Sequence, residues 1–187
     1  MAKDRTIEIM NAGDLKRVLT RIANEIIEKN GGAKDVALVG LQTRGVPIAR
    51  RIARIIKSLE KIEVPVGTLD ITLYRDDLAH LNHQPEIQKT EIPFNVTGKK
   101  IVIADEVIYT GRTIRAALDA IMDLGRPRLV QLAVIVDRGH RELPIHPDYV
   151  GRHIPTSRTE WCHVKLKEVD KKDGVYLAPS LDRRTEG

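Results

Sequence analysis

Short runs of branched aliphatic residues alternate along this chain with amphipathic helical patterns, and that alternation leaves few folds open. VALVG (36–40), the run at 100–104 and LVQLAVIVD (129–137) read as buried strands, and a further strand is expected at about 63–74. Before the first of them, Leu15, Val18, Leu19, Ile22 and Ile26 form one helical stripe, with Asp14 as its expected cap and Gly31-Gly32 as its end. A second helix carries Pro47 in its first turn, turns Ile48, Ile52, Ile55, Ile56 and Leu59 inward, and leaves Arg50, Arg51, Arg54 and Lys57 largely outward. A third follows a loop at 105–111 and runs to about 124, bounded by Gly125. Strand–helix alternation of this kind predicts an α/β fold, a mostly parallel sheet with helices on both faces. Ligands of such sheets bind outside the carboxyl ends of the strands.

Composition narrows the class. A chain of 187 residues suits one domain with a sizeable core, and with aromatics at 3% that core must be aliphatic. No segment approaches the ~18 apolar residues of a membrane span, and MAKDRTIEIMNAGD lacks the apolar stretch of a secretory signal. Cys162 is the single cysteine, which rules out an internal disulfide and makes a reducing cytoplasm the expected compartment. A formal charge of +5 leans toward anionic partners such as nucleotides, pyrophosphate or RNA.

The stretch IVIADEVIYTGRTIRAALDA (101–120) carries the chemistry. Asp105 and Glu106 stand side by side where a buried strand ends, and like charges that close call for something positive nearby. Behind them, YTGRT offers two threonine hydroxyls, a glycine, an arginine and the N–H groups of a helix start, together an anion cradle of the kind that holds phosphate. Acids beside a phosphate suit the hydroxyls of an attached sugar, or a divalent metal. Other nucleotide and hydrolase motifs fail. GLQTRG (40–45) has Walker spacing, but Val46-Pro47 follows it where Lys-Ser/Thr is required. Neither G-x-G-x-x-G nor G-x-S-x-G occurs.

IVIADEVIYTGRT resembles the phosphoribosyl-pyrophosphate signature of the type I phosphoribosyltransferases: four apolar residues, two acids, then a T-G-x-T-like loop. RIANEIIEKN, LVGLQTRG, LDITLYRDDL, DLGRPRLVQLAVIVDRGHRELPI and DYVGRHIPTSR are similar to one subfamily, the bifunctional pyrimidine-operon regulators with uracil phosphoribosyltransferase activity. That resemblance implies a single domain: a core at about 14–140, a small hood from the N-terminal segment and about 141–178, and a frayed tail at 179–187. It also implies a reaction of uracil with phosphoribosyl pyrophosphate that yields UMP and pyrophosphate.

By the family pattern, Thr110, Gly111, Arg112 and Thr113 hold the 5′-phosphate. Val107, Ile108 and Tyr109 line the way to it. Asp105 and Glu106 take the ribose hydroxyls, with Mg2+ held mostly through the substrate. Thr43, Arg44 and Gly45 match the pyrophosphate loop, Arg138 and the main chain near Cys162 the uracil contacts. Arg75 opens a long polar stretch that corresponds to a flexible cover over the site. The family usually has two aspartates where this chain reads Asp105-Glu106; the extra methylene of about 1.5 Å predicts binding that survives and turnover that is weak.

The subfamily's second partner is pyrimidine-operon leader mRNA, bound more tightly with uridine nucleotides. Thr20, Arg21, Lys29, Arg141 and Arg152 would form that face, although Asn24 and His146 stand where histidine and arginine are expected. A homo-oligomer, dimer or tetramer, is implied as well. Two other readings stay open: a salvage enzyme without RNA function, and a nucleotide sensor crippled in catalysis by Glu106. His80 and His83 are too few for a zinc site, and Cys162 reads as a packed small residue.

Overall fold

The computed structural model describes residues 6–76 and 88–179. Its elements are β1 (Ile7–Met10), α1 (Ala12–Asn30), β2 (Val36–Leu41), α2 (Gly45–Glu60), β3 (Val66–Leu69), a 3-10 turn (Thr72–Tyr74), β4 (Lys100–Ile108), α3 (Arg112–Asp123), β5 (Leu129–Asp137), β6 (Tyr149–His153), β7 (Glu160–Lys165), α4 (Lys167–Asp170) and β8 (Gly174–Pro179). Five strands form a parallel sheet in the order β3-β2-β4-β5-β6, and three form a second sheet in the order β1-β8-β7. The expected α/β architecture is thus the observed one. None of the described helices is long and apolar enough to cross a membrane.

Period-two alternation on β4 divides the core. Val102 and Ala104 pack toward α1 and α2 with Leu15, Ile22, Ile26, Ile48 and Ile52, whereas Ile101 and Ile103 join Ile114, Ala117 and Ile121 of α3 on the opposite face. A strand buried on both faces has to be apolar at every position, which is why 100–104 and 129–137 read as unbroken aliphatic runs. α1 is capped by Asn11 rather than Asp14. Asn11 accepts from the Asp14 N–H (2.9 Å) while Asp14 accepts from the Asn11 N–H (3.1 Å), a reciprocal capping box.

Several boundaries differ from the sequence reading. The strand expected at 63–74 is shorter, because after Leu69 the chain turns on Asp70, whose carboxylate accepts from the Thr72 N–H and hydroxyl. β4 runs on to Ile108, so the two acids lie within the strand and not in a loop after it. β6 extends the parallel sheet beside β5, which puts 149–153 with the core strands rather than with the smaller sheet. Of the polar stretch from Arg75 onward, 77–87 lies outside the described residues, and with it His80 and His83. The part after it is anchored: Thr68 and Glu91 exchange both backbone hydrogen bonds, and Ile92 and Phe94 pack on the α3 side of the core. Pro179 belongs to β8, and the tail beyond it lies outside the described residues.

Two glycines bring the β2–α2 connection hard against the sheet. A Cβ on Gly45 would fall 2.2 Å from the Ala104 carbonyl oxygen, and one on Gly40 would fall 2.4 Å from the Val46 Cα. Backbone stands on the far side of each contact, so neither can yield by rotating a side chain. Gly45→Ala is therefore expected to destabilise the fold by about 1–3 kcal/mol, the usual cost of overpacking, and to lift the 42–45 loop away from β4. Chemical denaturation of the variant beside the parent measures the first effect.

Candidate active site

The carboxyl ends of β2, β4 and β5 face the smaller sheet across a cavity of about 220 Å³, whose walls include Arg44, Glu106, Tyr109, Arg138, Cys162 and Lys165. The sheet rule thus locates the hollow beside Glu106 and Tyr109, within the stretch that carries the acids and the loop.

Asp105 is 7% exposed and its Oδ1 accepts from the Glu106 N–H at 2.9 Å. Burial pushes its carboxyl well up, and the neighbouring charge of Glu106 adds to the rise. Glu106 is half-buried and reaches the cavity. Among the described residues no cluster of three or more acids, histidines or cysteines gathers into a metal site. An ion at these two acids would need its remaining ligands from a substrate.

Next along the chain, α3 starts at Arg112, and its N-cap, Gly111, has no side chain to offer the first-turn N–H groups. Thr110 Oγ1 accepts from the Arg112 N–H at 3.3 Å, and Thr113 is exposed on the first turn. Arg112 itself is engaged by two acids, Asp76 at 2.6 Å and Glu142 at 2.8 Å. Val107 lines the cavity, but Ile108 is 1% exposed and packed in the α3-side core, so its side chain cannot touch a ligand. The Ile108 carbonyl instead accepts from the Arg138 N–H.

The β2–α2 loop begins with a cis peptide between Gln42 and Thr43. Thr43 is exposed and lines a separate hollow with Pro47 and Arg50. Arg44 faces the cavity, and its guanidinium meets Asp170 of α4 side-on: Nη2 to Oδ1 at 2.7 Å and Nε to Oδ2 at 3.1 Å. A second arginine of α2, Arg51, grips the same segment through Glu168 (2.9 Å) and Asp173 (2.7 Å).

Arg138 is 6% exposed. It lies 4.1 Å over the Tyr109 ring and donates to Thr156 Oγ1 and to the carbonyls of Ser157 and Glu160. Those bonds fasten β7 to the end of β5. Burial pushes the Cys162 thiol up to about 11, which keeps it protonated, as expected of a packed residue. β7 is the edge of its sheet, so the main chain at Cys162 has one unpaired side. Arg75 is exposed just after the 3-10 turn.

Of the residues expected to meet RNA, Thr20 and Arg21 lie on α1 and Arg152 on β6, two elements that pack together. Arg21 donates to the Val150 and Gly151 carbonyls, and Arg152 to that of Ile9. Lys29, further along α1, pairs with Asp148. Asn24 bonds back to the Thr20 carbonyl, and His146 is exposed. Arg141 stands differently: its side chain is 14% exposed and is held by Asp137 and by the carbonyls of Tyr109 and Ile145. A guanidinium so occupied braces the loop. Sequence reasoning missed Asp170, Lys165 and Glu142, which are acids and a base in polar stretches with no motif to mark them.

The phosphoribosyl transferase domain family matches residues 7–169 of this chain. The chain belongs to that family. The chain is 60% identical over 170 residues to the Bifunctional protein PyrR of Thermus thermophilus, which covers 91% of this chain and 94% of that protein. With the protein of the same name from Pelotomaculum thermopropionicum it shares 58% over 182 residues, 97% of this chain and all (100%) of that one. Among solved structures, the hypoxanthine phosphoribosyltransferase of Trypanosoma cruzi superposes with a TM-score of 0.70 at 15% identity, covering 92% of this chain and 96% of that one. That likeness shows the family fold.

A carboxyl that keeps its proton to higher pH when folded than when unfolded makes the fold lose stability as pH rises from the unfolded value toward the folded one. Asp105→Asn removes that cost, and its amide oxygen can still accept from the Glu106 N–H. The variant should melt higher than the parent near neutral pH while losing ~100-fold or more in turnover. Melting curves across pH, taken with a transferase assay, test both halves.

Proposed function

We infer that this chain transfers the phosphoribosyl group from phosphoribosyl pyrophosphate to uracil, and that it regulates a pyrimidine operon by binding leader RNA in response to uridine nucleotides. The observation that carries the reading is 60% identity along 91% of the chain to a protein named for two functions. The cavity at the strand ends supports it with a place for the chemistry.

In the reaction, uracil N1 bonds to the ribose C1, the bond from C1 to the pyrophosphate oxygen breaks, and the N1 proton is lost. No protein nucleophile is required. The enzyme aligns the partners, shields a cation-like ribose and neutralises the leaving group. The Thr110 and Thr113 hydroxyls and the first turn of α3 hold the 5′-phosphate. Asp105 and Glu106 address the ribose hydroxyls and the positive charge that develops beside them. Arg44 meets the pyrophosphate. The edge of β7 near Cys162, braced by Arg138, offers main-chain donors and acceptors to uracil. Arg75, just after the 3-10 turn, is a further cation for the reaction.

The acid pair fits Mg2+ of the kind that is bound chiefly by its substrate, since two adjacent carboxylates supply only part of an octahedron. When bound, the ion neutralises pyrophosphate oxygens. The compartment is the cytoplasm, and the assembly a homodimer or tetramer. The domain divides into a core and a hood made by the smaller sheet.

For RNA, Thr20, Arg21, Lys29 and Arg152 present hydroxyl and cationic groups along α1 and β6. Arg141 contributes by bracing the neighbouring loop.

Release of pyrophosphate from phosphoribosyl pyrophosphate in the presence of uracil, and a gel shift of the operon's own leader RNA, test the two halves. Affinity that rises with UMP and falls steeply with salt is expected; RNA binding blind to UMP would leave a salvage enzyme only. The extra methylene of Glu106 also predicts that Glu106→Asp speeds turnover, by up to ~100-fold. An unchanged rate would show that this position does not limit the chemistry.

A further inference from the structure

The bidentate contact between Arg44 and Asp170 crosses from the pyrophosphate loop to α4, and neither function above requires it. It is not needed to dock α4, because Arg51 already holds that segment through Glu168 and Asp173. The carboxylates of Asp170 and Asp173 sit below their usual range: burial raises each, and the arginine bonded to each outweighs it. Asp170 is itself held, since its Oδ2 also accepts from the Leu166 N–H at 2.8 Å. The carboxylate is therefore a fixed object, 14% exposed, against which a guanidinium can be set in one plane. Arg44 set in this way borders the cavity together with Glu106 and Lys165.

We propose that Asp170 is a positioning residue for catalysis, locking the Arg44 fork in the plane that meets the pyrophosphate of the incoming substrate. The inference rests on the assignment of Arg44 to pyrophosphate made above. An acid beside an anion site has two possible effects of opposite sign. By charge alone it repels pyrophosphate, so its removal would tighten binding. By orientation it aids binding, so its removal would weaken it. The side-on geometry and the anchoring to Leu166 point to orientation.

Asp170→Asn keeps an oxygen for the Leu166 N–H but cannot accept both arginine donors. It should raise KM for phosphoribosyl pyrophosphate, and the inhibition constant of free pyrophosphate, each about tenfold. KM for uracil at saturating co-substrate should stay within about twofold. Arg44→Lys keeps the charge without the fork and should behave the same way, which covers the case in which Asp170→Asn does not fold. In an Arg44→Ala background the Asp170→Asn effect should vanish. Glu168→Gln, which loosens α4 without touching Arg44, should lower thermal stability and leave KM unchanged. An Asp170→Asn enzyme with unchanged or lower KM, where Arg44→Ala raises it, would overturn the positioning role. If Arg44→Ala itself left KM unaltered, the assignment of Arg44 to pyrophosphate would fall first.

Discussion

A carboxylate buried at the end of a central parallel strand is the costly element on which this structure turns. Asp105 sits where water is excluded, next to a second acid, and its proton affinity is raised by both facts. A fold selected for stability alone would place an apolar residue there, as it does at every position of β4 from Ile101 to Ala104. The acid is tolerated because the sheet around it is rigid. β4 is paired on both sides, by β2 and β5, and packed on both faces. A rigid, partly desolvated pair of acids can meet a developing positive charge without rearranging, the condition under which such groups contribute most to catalysis.

The cations near the cavity share a second property. Arg44, Arg51 and Arg138 each join the parallel core to the β7–β8 region: Arg44 and Arg51 through α4 and the turn after it, Arg138 through the 156–160 turn. Core and smaller sheet are thus held across the cavity by charge-assisted bonds at its rim. Such bonds fix direction as well as distance, because a guanidinium meets its acceptors in a plane. A purely apolar contact between the two sheets would have allowed them to slide.

Much of the fold could be read from residues because its driving term is local. β5 was legible to its ends, 129–137, since a strand covered on both faces has no polar gaps. α3 likewise begins and ends close to its expected bounds. β7 was not legible: EWCHVK mixes charge, aromatic and sulfur because this edge strand borders the cavity. The place of β6 could not be read either, since nothing in YVGRH itself names its partner; β5 does so across the intervening loop. The acids and the loop behind them stand out in the sequence because they are contiguous. Asp170 does not, because the group it serves lies 126 positions earlier and no pattern spans that separation.

The same distinction explains Arg141. Sequence shows a cation in a polar segment, which suits a nucleic-acid contact. In the structure it is the centre of a knot. Its guanidinium takes the Tyr109 carbonyl at the mouth of the 109–113 loop, Asp137 at the end of β5, and the Ile145 carbonyl. The Glu142 and Leu143 N–H groups both donate to the Thr110 carbonyl, and the Glu142 carboxylate holds Arg112. The 109–113 loop and residues 139–145 are consequently one hydrogen-bonded unit. His153, next to Arg152 on β6, lies 3.6 Å from the Asp137 oxygen that Arg141 also uses.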